Sequence, residues 1–203
     1  YAFPSDAFAL KASYEHSLRL PMSRELLGNG TTVYANLRLR PENSHNINLG
    51  LFGALRPAPG HQLSYELNGF YRNVKDYIRL VVSETEGTSQ YDNVPGVGIK
   101  GLEGELRYTY ADLLQVVANG SWEDARSMTR YYPDGKEMIT YRNRIPNRPW
   151  LFANVEATLK RRDLLIPHST VRLTYNFDFV RSFFLSWEGY GSLDSKSRIP
   201  TQY

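Results

Sequence analysis

Apolar and polar residues alternate along most of this chain. From Val171 onward every second residue is Val171, Leu173, Tyr175, Phe177, Phe179, Arg181, Phe183, Leu185 and Trp187. The intervening set, Thr170, Arg172, Thr174, Asn176, Asp178, Val180, Ser182, Phe184 and Ser186, is polar apart from Val180 and Phe184. Side chains alternate between the two faces of a strand, so this period marks one. It persists for about 18 residues, beyond the roughly 10 of an ordinary strand.

The same pattern recurs upstream. Phe8, Leu10, Ala12, Tyr14, His16, Leu18 and Leu20 alternate with Lys11, Ser13, Glu15, Ser17 and Arg19. Ile47, Leu49, Leu51 and Leu55 form another apolar set, as do Leu63, Tyr65, Leu67 and Tyr71. The phase then slips, so that Val74, Ile78, Leu80 and Val82 carry the apolar side; a bulge near Asn73 is expected there. Leu102, Leu106, Tyr108 and Tyr110, then Leu114, Val116, Ala118 and Trp122, then Leu151, Ala153, Val155, Ala157 and Leu159 continue the series. The pattern predicts an all-β chain of about seven long strands, roughly 8–20, 45–56, 61–83, 91–110, 113–126, 149–160 and 168–190. Helical periodicity is confined to one turn at Ser23–Leu27.

The connections alternate as well. Pro57–Gly60, Ala111–Asp112 and Arg161–His168 are short, whereas Pro21–Ser44, Glu84–Gln90 and Ser127–Arg148 are longer. Strands joined in this way form an antiparallel up-and-down meander, with turns at one end and loops at the other. Pro133-Asp134-Gly135 predicts a small hairpin inside the last long loop.

Composition narrows the class. Lys and Arg number 24 against 21 Asp and Glu, a formal net charge of +3. The basic residues are dispersed, so nucleic acid is not an expected partner. Cysteine is absent, which excludes disulfides and thiolate metal sites. No signal peptide opens the chain, and no apolar run reaches the length of a transmembrane helix. The mean hydropathy of −0.47 suits a soluble β-sandwich, such as a carbohydrate-binding module, but a membrane barrel averages out equally polar because its faces alternate. Three features favour the barrel. Twenty residues of strand span about 65 Å, more than a sandwich uses. Tyr108, Tyr110, Trp122, Trp150, Phe179 and Trp187 lie toward strand ends, as interfacial girdles do. The short-turn, long-loop asymmetry is that of outer-membrane barrels.

Four motifs occur in order: Arg19-x-Pro21 closing a strand; Leu39-x-Pro41-Glu42-x-Ser44-x-Asn46 opening the next; Asp76-x-Ile78; and Asn93 followed by Gly101-Leu102-Glu103. Together they resemble the C-terminal part of the barrel of a TonB-dependent outer-membrane receptor. The resemblance implies a segment of a barrel of about 22 strands, normally closed by an N-terminal plug, that takes up a scarce nutrient with energy coupled through TonB. Ferric siderophores, haem, cobalamin and glycans are the family's substrates. Neither a plug nor a TonB box is found between residues 1 and 203, so the expectation is a plug-less barrel piece, open at two edges, whose partners are the plug, TonB, outer-membrane lipid and a small nutrient ligand such as a siderophore. Haem-type members carry a histidine between the Arg-x-Pro strand and the Leu-x-Pro-Glu run. None lies between Arg19 and Glu42, which disfavours haem.

Residue chemistry adds little catalysis. His16, His45, His61 and His168 have no metal-ligand spacing and read as isolated surface histidines, so no metal or cofactor is expected. Glu103, Glu105 and Arg107 share one strand face and read as a charge ladder on the polar inner wall. No nucleophile or phosphate-loop motif occurs, and an enzyme is not expected. The richest binding candidate is the loop carrying Arg126, Arg130, Tyr131, Tyr132, Tyr141, Arg142, Arg144, Arg148 and Trp150. Guanidinium forks suit carboxylate or catecholate oxygens, and aromatic rings stack on planar ligands. The competing reading is that the residues nearest "RNRIPNRPW" brace the barrel rim. Arg24, Glu25 and Tyr34 in the first long loop form a weaker candidate.

Overall fold

The computed structural model describes residues 7–82, 87–164, 166–188 and 198–203. In chain order it contains β1 (Ala9–Arg19), α1 (Ser23–Leu27), β2 (Val33–Tyr34), β3 (Glu42–Leu55), β4 (His61–Val82), β5 (Ser89–Tyr110), β6 (Leu114–Ser127), β7 (Leu151–Arg162), β8 (Thr170–Val180), β9 (Phe183–Phe184) and β10 (Arg198–Ile199). Seven long strands follow one another in a single sheet, β1-β3-β4-β5-β6-β7-β8, antiparallel at every step. This is the expected meander; among the described residues the long strands lie in one sheet rather than in the two facing sheets a sandwich requires. β2 adds a two-residue parallel pairing to β5, and β9 with β10 makes a separate small ribbon. The path ends at β1 and β8, so the described strands form an open wall.

β4 and β5 are 22 residues each, roughly 70 Å of strand. Register carries the alternation from strand to strand. Gly53, Tyr65, Leu106, Ala118, Val155 and Phe177 lie opposite one another in one row. The neighbouring row, Phe52, Glu66, Glu105, Asn119, Asn154 and Asp178, points to the other side. One face is therefore an apolar band with Leu10, Tyr14, Ile47, Leu49, Leu67, Leu102, Leu106, Leu159, Leu173 and Tyr175 all exposed. The opposite face is hydrophilic through the lower half of the wall, toward the short turns.

Toward the long-loop end, hereafter the rim, the apolar residues change sides. Phe70, Val74, Val94, Val97, Ile99, Ala125 and Ile145 form the buried core, with Tyr77 and Trp187 packed against it. Val74 and Ile99 line the inner cavity that also contains Ser44, Asn46 and Asn48, so this core sits on the polar, inner side of the wall.

Two expectations are corrected. The phase slip in β4 is real, but no bulge at Asn73 produces it. Pairing of β4 with β5 keeps one register from His61↔Tyr110 to Val82↔Ser89, with no inserted residue. Between Tyr71 and Val74 the ladder is regular and the apolar residues simply pass from the outer face to the inner one; the backbone irregularity lies further on, at Asp76, which takes φ +56° opposite Pro95, and neither of these residues joins the ladder. Val74 before it and Tyr77 after it reach the same inner cavity. Proline has no N–H to offer the ladder, and the left-handed residue facing it absorbs the mismatch. The second correction concerns the last strand. It does not run to residue 190: β8 stops at Val180, Ser182 is buried, and β9 pairs with β10. Trp187 turns back onto the inner core rather than standing at an outer interface. Residues 189 and 190 of the expected strand lie outside the described residues.

Candidate ligand-binding rim

The first long loop is anchored by the motif residues. Arg19, at the end of β1, donates from Nε and Nη2 to the Glu42 carboxylate at 2.9 and 2.8 Å, and from Nη1 to both oxygens of Glu25 at 3.1 Å. Glu42 also accepts the Ile78 backbone N–H at 2.7 Å. Glu25 is buried in α1 and caps it by accepting the Met22 N–H. Gly28, at φ +67°, ends the helix where any Cβ would collide with the Val33 carbonyl. Nearby, Arg40 pairs with Asp76 at 2.7 Å, while the Asn93 amide donates to the Asp76 and Arg40 carbonyls and its oxygen accepts the Arg40 N–H. Arg19, Glu42, Asp76, Ile78 and Asn93 come from four separate motifs and meet in one polar brace. Glu25 is consumed by that brace; Arg24 and Tyr34, the other weak candidates, remain exposed.

The loop between β6 and β7 divides its candidate residues into two groups. Asp124 is buried and accepts from Arg126 Nε at 2.8 and 2.9 Å and from Arg144 Nε at 3.1 Å. Arg126 also donates to the Arg142 carbonyl. The Arg144 guanidinium lies 4.5 Å from the Trp150 ring centroid, and the Trp150 indole N–H donates to the Ser182 carbonyl at 3.0 Å. Arg148 donates to Glu123 at 2.7 Å and to the Tyr77 hydroxyl at 2.8 Å. Burial works against its charge, but Tyr77 and Glu123 outweigh it and hold the guanidinium above its ordinary pKa. These residues brace the rim.

The second group stands out from it. Arg130 pairs with Glu137 at 3.1 Å and packs 5.2 and 5.7 Å from the rings of Tyr131 and Tyr141; Arg142 packs on the other contact of Tyr141 at 5.4 Å. Tyr131 and Tyr132 are exposed. The hairpin expected around Pro133-Asp134-Gly135 forms, with a Tyr131↔Glu137 bridge and Gly135 at φ +84°.

The brace has a cavity beside it of about 130 Å³. Arg144, Arg148, Arg181 and Arg198 border it, with Trp150, Phe183 and Phe184 as its aromatic residues and Glu188 as its acid. Arg198 donates to the Ser182 hydroxyl at 2.6 Å and lies 5.6 Å from the Phe184 ring centroid. Sequence reasoning named Arg144, Arg148 and Trp150 but missed Arg198, and missed Arg181, Phe183 and Phe184 because it assigned them to a continuing strand. The break was signalled where Val180 and Phe184 interrupt the polar set.

The family model for the TonB dependent receptor-like β-barrel matches residues 1–200. Among solved structures, the ferric enterobactin receptor of Pseudomonas aeruginosa is 17% identical with a TM-score of 0.61, covering 98% of this chain and 30% of that one. The copper transporter OprC is 19% identical with a TM-score of 0.60, covering 86% and 24%. The haemophore receptor HasR of Serratia marcescens, solved with its haemophore and haem, is 20% identical with a TM-score of 0.55, covering 90% and 33%. This chain thus spans about a quarter to a third of the structures it resembles. No curated protein matches it.

Proposed function

Because this chain belongs to the TonB-dependent receptor β-barrel family, whose members are bacterial outer-membrane proteins, we propose that it forms part of the barrel of a receptor that takes up a scarce nutrient, a ferric siderophore being the first candidate, with energy coupled through TonB. The observation that carries this reading is the rim cavity, bordered by four arginines and three aromatic residues, above a wall that is apolar outside and hydrophilic inside. At about 130 Å³ the cavity takes one donor arm of a ferric chelate rather than the whole; guanidinium groups fit the anionic oxygens of that arm, and the rings fit its planar donor. The Arg130, Tyr131, Tyr132, Tyr141 and Arg142 cluster makes first contact from the projecting loop. Arg126, Arg144 and Trp150 act through the brace that shapes the cavity.

The inner wall supports a plug as partner. Among the described residues no cation pairs with Glu66, Glu103, Glu156 or Asp178, while Glu105 has only Arg107 at 3.2 Å. Glu66 and Glu105 stand directly opposite each other. Like charges in that position favour a basic surface seated against them.

The test is iron-source growth of a strain lacking the receptor, complemented with the wild type or with an Arg181→Ala, Arg198→Ala variant. Restored growth on a defined ferric catecholate with the wild type, and at least tenfold weaker binding in the variant, is the expected result. Equal growth with and without the wild-type receptor on every iron source would sink the siderophore reading.

A further inference from the structure

His16 and His45 face each other across β1 and β3. Their rings are stacked, with centroids 4.4 Å apart and planes 3° from parallel. Strand alternation puts His16 on the outward side of β1, between Tyr14 and Leu18, where the apolar band ends toward the rim. Both rings are held by a neighbour on one nitrogen only. His16 Nε2 hydrogen-bonds the Asn43 side-chain oxygen at 2.9 Å, and His45 Nδ1 hydrogen-bonds the Tyr14 hydroxyl at 2.8 Å.

This is the arrangement a metal-ligating histidine uses: one nitrogen fixes the ring and tautomer, and the other presents a lone pair. An amide oxygen only accepts, so His16 Nε2 carries the proton and Nδ1 is the open donor atom. When His45 donates from Nδ1 to Tyr14, its Nε2 is open in the same way. Among the described residues no side chain hydrogen-bonds either open nitrogen. Two nitrogens on one metal stand about 3 Å apart, and imidazole lone pairs lie in the ring planes, so the two exposed rings tilt out of their parallel stack to converge on one ion. No set of three or more His, Cys, Asp or Glu converges anywhere among the described residues. Water therefore completes the coordination, and the site is a two-imidazole one.

We infer that His16 and His45 form an outer-wall site for a late first-row divalent cation, with Cu²⁺ held more tightly than Ni²⁺ or Zn²⁺. The site ties β1 to β3 beneath the first long loop and is separate from the rim cavity. It does not depend on the nature of the transported nutrient.

The test uses the receptor at its full natural length, free of any affinity tag, in detergent micelles. Cu²⁺, Ni²⁺ and Zn²⁺ are titrated in turn into the wild type, His16→Gln, His45→Gln and Asn43→Ala. The wild type is expected to bind one equivalent more Cu²⁺ than either histidine variant, and its copper resonance spectrum to show nitrogen couplings that both variants lack. Asn43→Ala should weaken that equivalent about tenfold without removing it, as loss of an orienting partner does. Native heat-modifiable migration of the glutamine variants confirms that they are folded. Identical Cu²⁺ stoichiometry and spectra in the wild type and the folded glutamine variants would overturn the assignment.

Discussion

The two halves of the same strands carry their apolar side chains on opposite faces. In β5, Leu102 and Leu106 in the lower wall are 49% and 46% exposed on the outer side, whereas Val97 and Ile99 toward the rim are 0% and 3% exposed on the inner side. The backbone ladder is unbroken from Leu106 to Val97. What changes is the medium each half is built to meet. The wall presents aliphatic side chains outward in a band suited to hydrocarbon and keeps its polar groups inward. The rim stands beyond that band, where an outward apolar face gains nothing, so its apolar residues pack inward under the loops while ion pairs tie those loops down. A strand of this length is thus two differently patterned structures joined end to end.

The comparison is broken most directly at Val97. Val97→Asp places a charge in the fully buried rim core and is expected to cost about 4 kcal/mol or more. Loss of the folded, heat-modifiable band on gels checks it; a folded variant of wild-type stability would show that the rim core is dispensable. In the wall the sensitive face is the outer one. Leu49→Arg is expected to cost about 2–4 kcal/mol in a lipid bilayer, while Asn176→Arg, on the inner side between Glu156 and Asp178, should leave insertion unchanged. Comparing unfolding in vesicles measures both, and equal costs would erase the distinction between faces.

The brace comes next. Glu42→Ala leaves Arg19 Nε and Nη2 and the Ile78 N–H without their acceptor, Arg19 keeping only Glu25, and should destabilise the first long loop by about 2–3 kcal/mol. Faster proteolysis within residues 21–41, with the wall intact, is the expected readout. The smallest effect belongs to Asp112, in the turn between β5 and β6. A hydrogen bond from Lys160, with Arg162 adding its charge, holds this carboxyl below the ordinary aspartate value. Its folded pKa is depressed, so its contribution is present above the unfolded value of about 3.9 and fades as pH falls below it. The unfolding temperature of the wild type should exceed that of Asp112→Asn at neutral pH, converge with it in strong acid, and approach it in high salt.

Local pattern determined a great deal about this protein. Alternation with period two identified seven strands, the outward apolar row from Leu10 to Tyr175 and the inner carboxylates Glu103 and Glu105, because side-chain direction in a strand depends only on neighbouring residues. Turn residues likewise specified the hairpin at Pro133–Gly135. The tertiary structure alone decided what depends on register. His16 and His45 are 29 positions apart in sequence and read as isolated, yet pairing of β1 with β3 stacks them. Arg19, Glu42, Asp76 and Asn93 were motif letters until the ladder and the first loop drew them into one brace. Trp187 followed the alternation outward on paper, but the chain breaks after Val180 and the buried inner core claims its ring, since beyond the apolar band the only dry surface lies inside. Which face is apolar is written residue by residue; which residues meet across strands is set by where the whole sheet comes to rest.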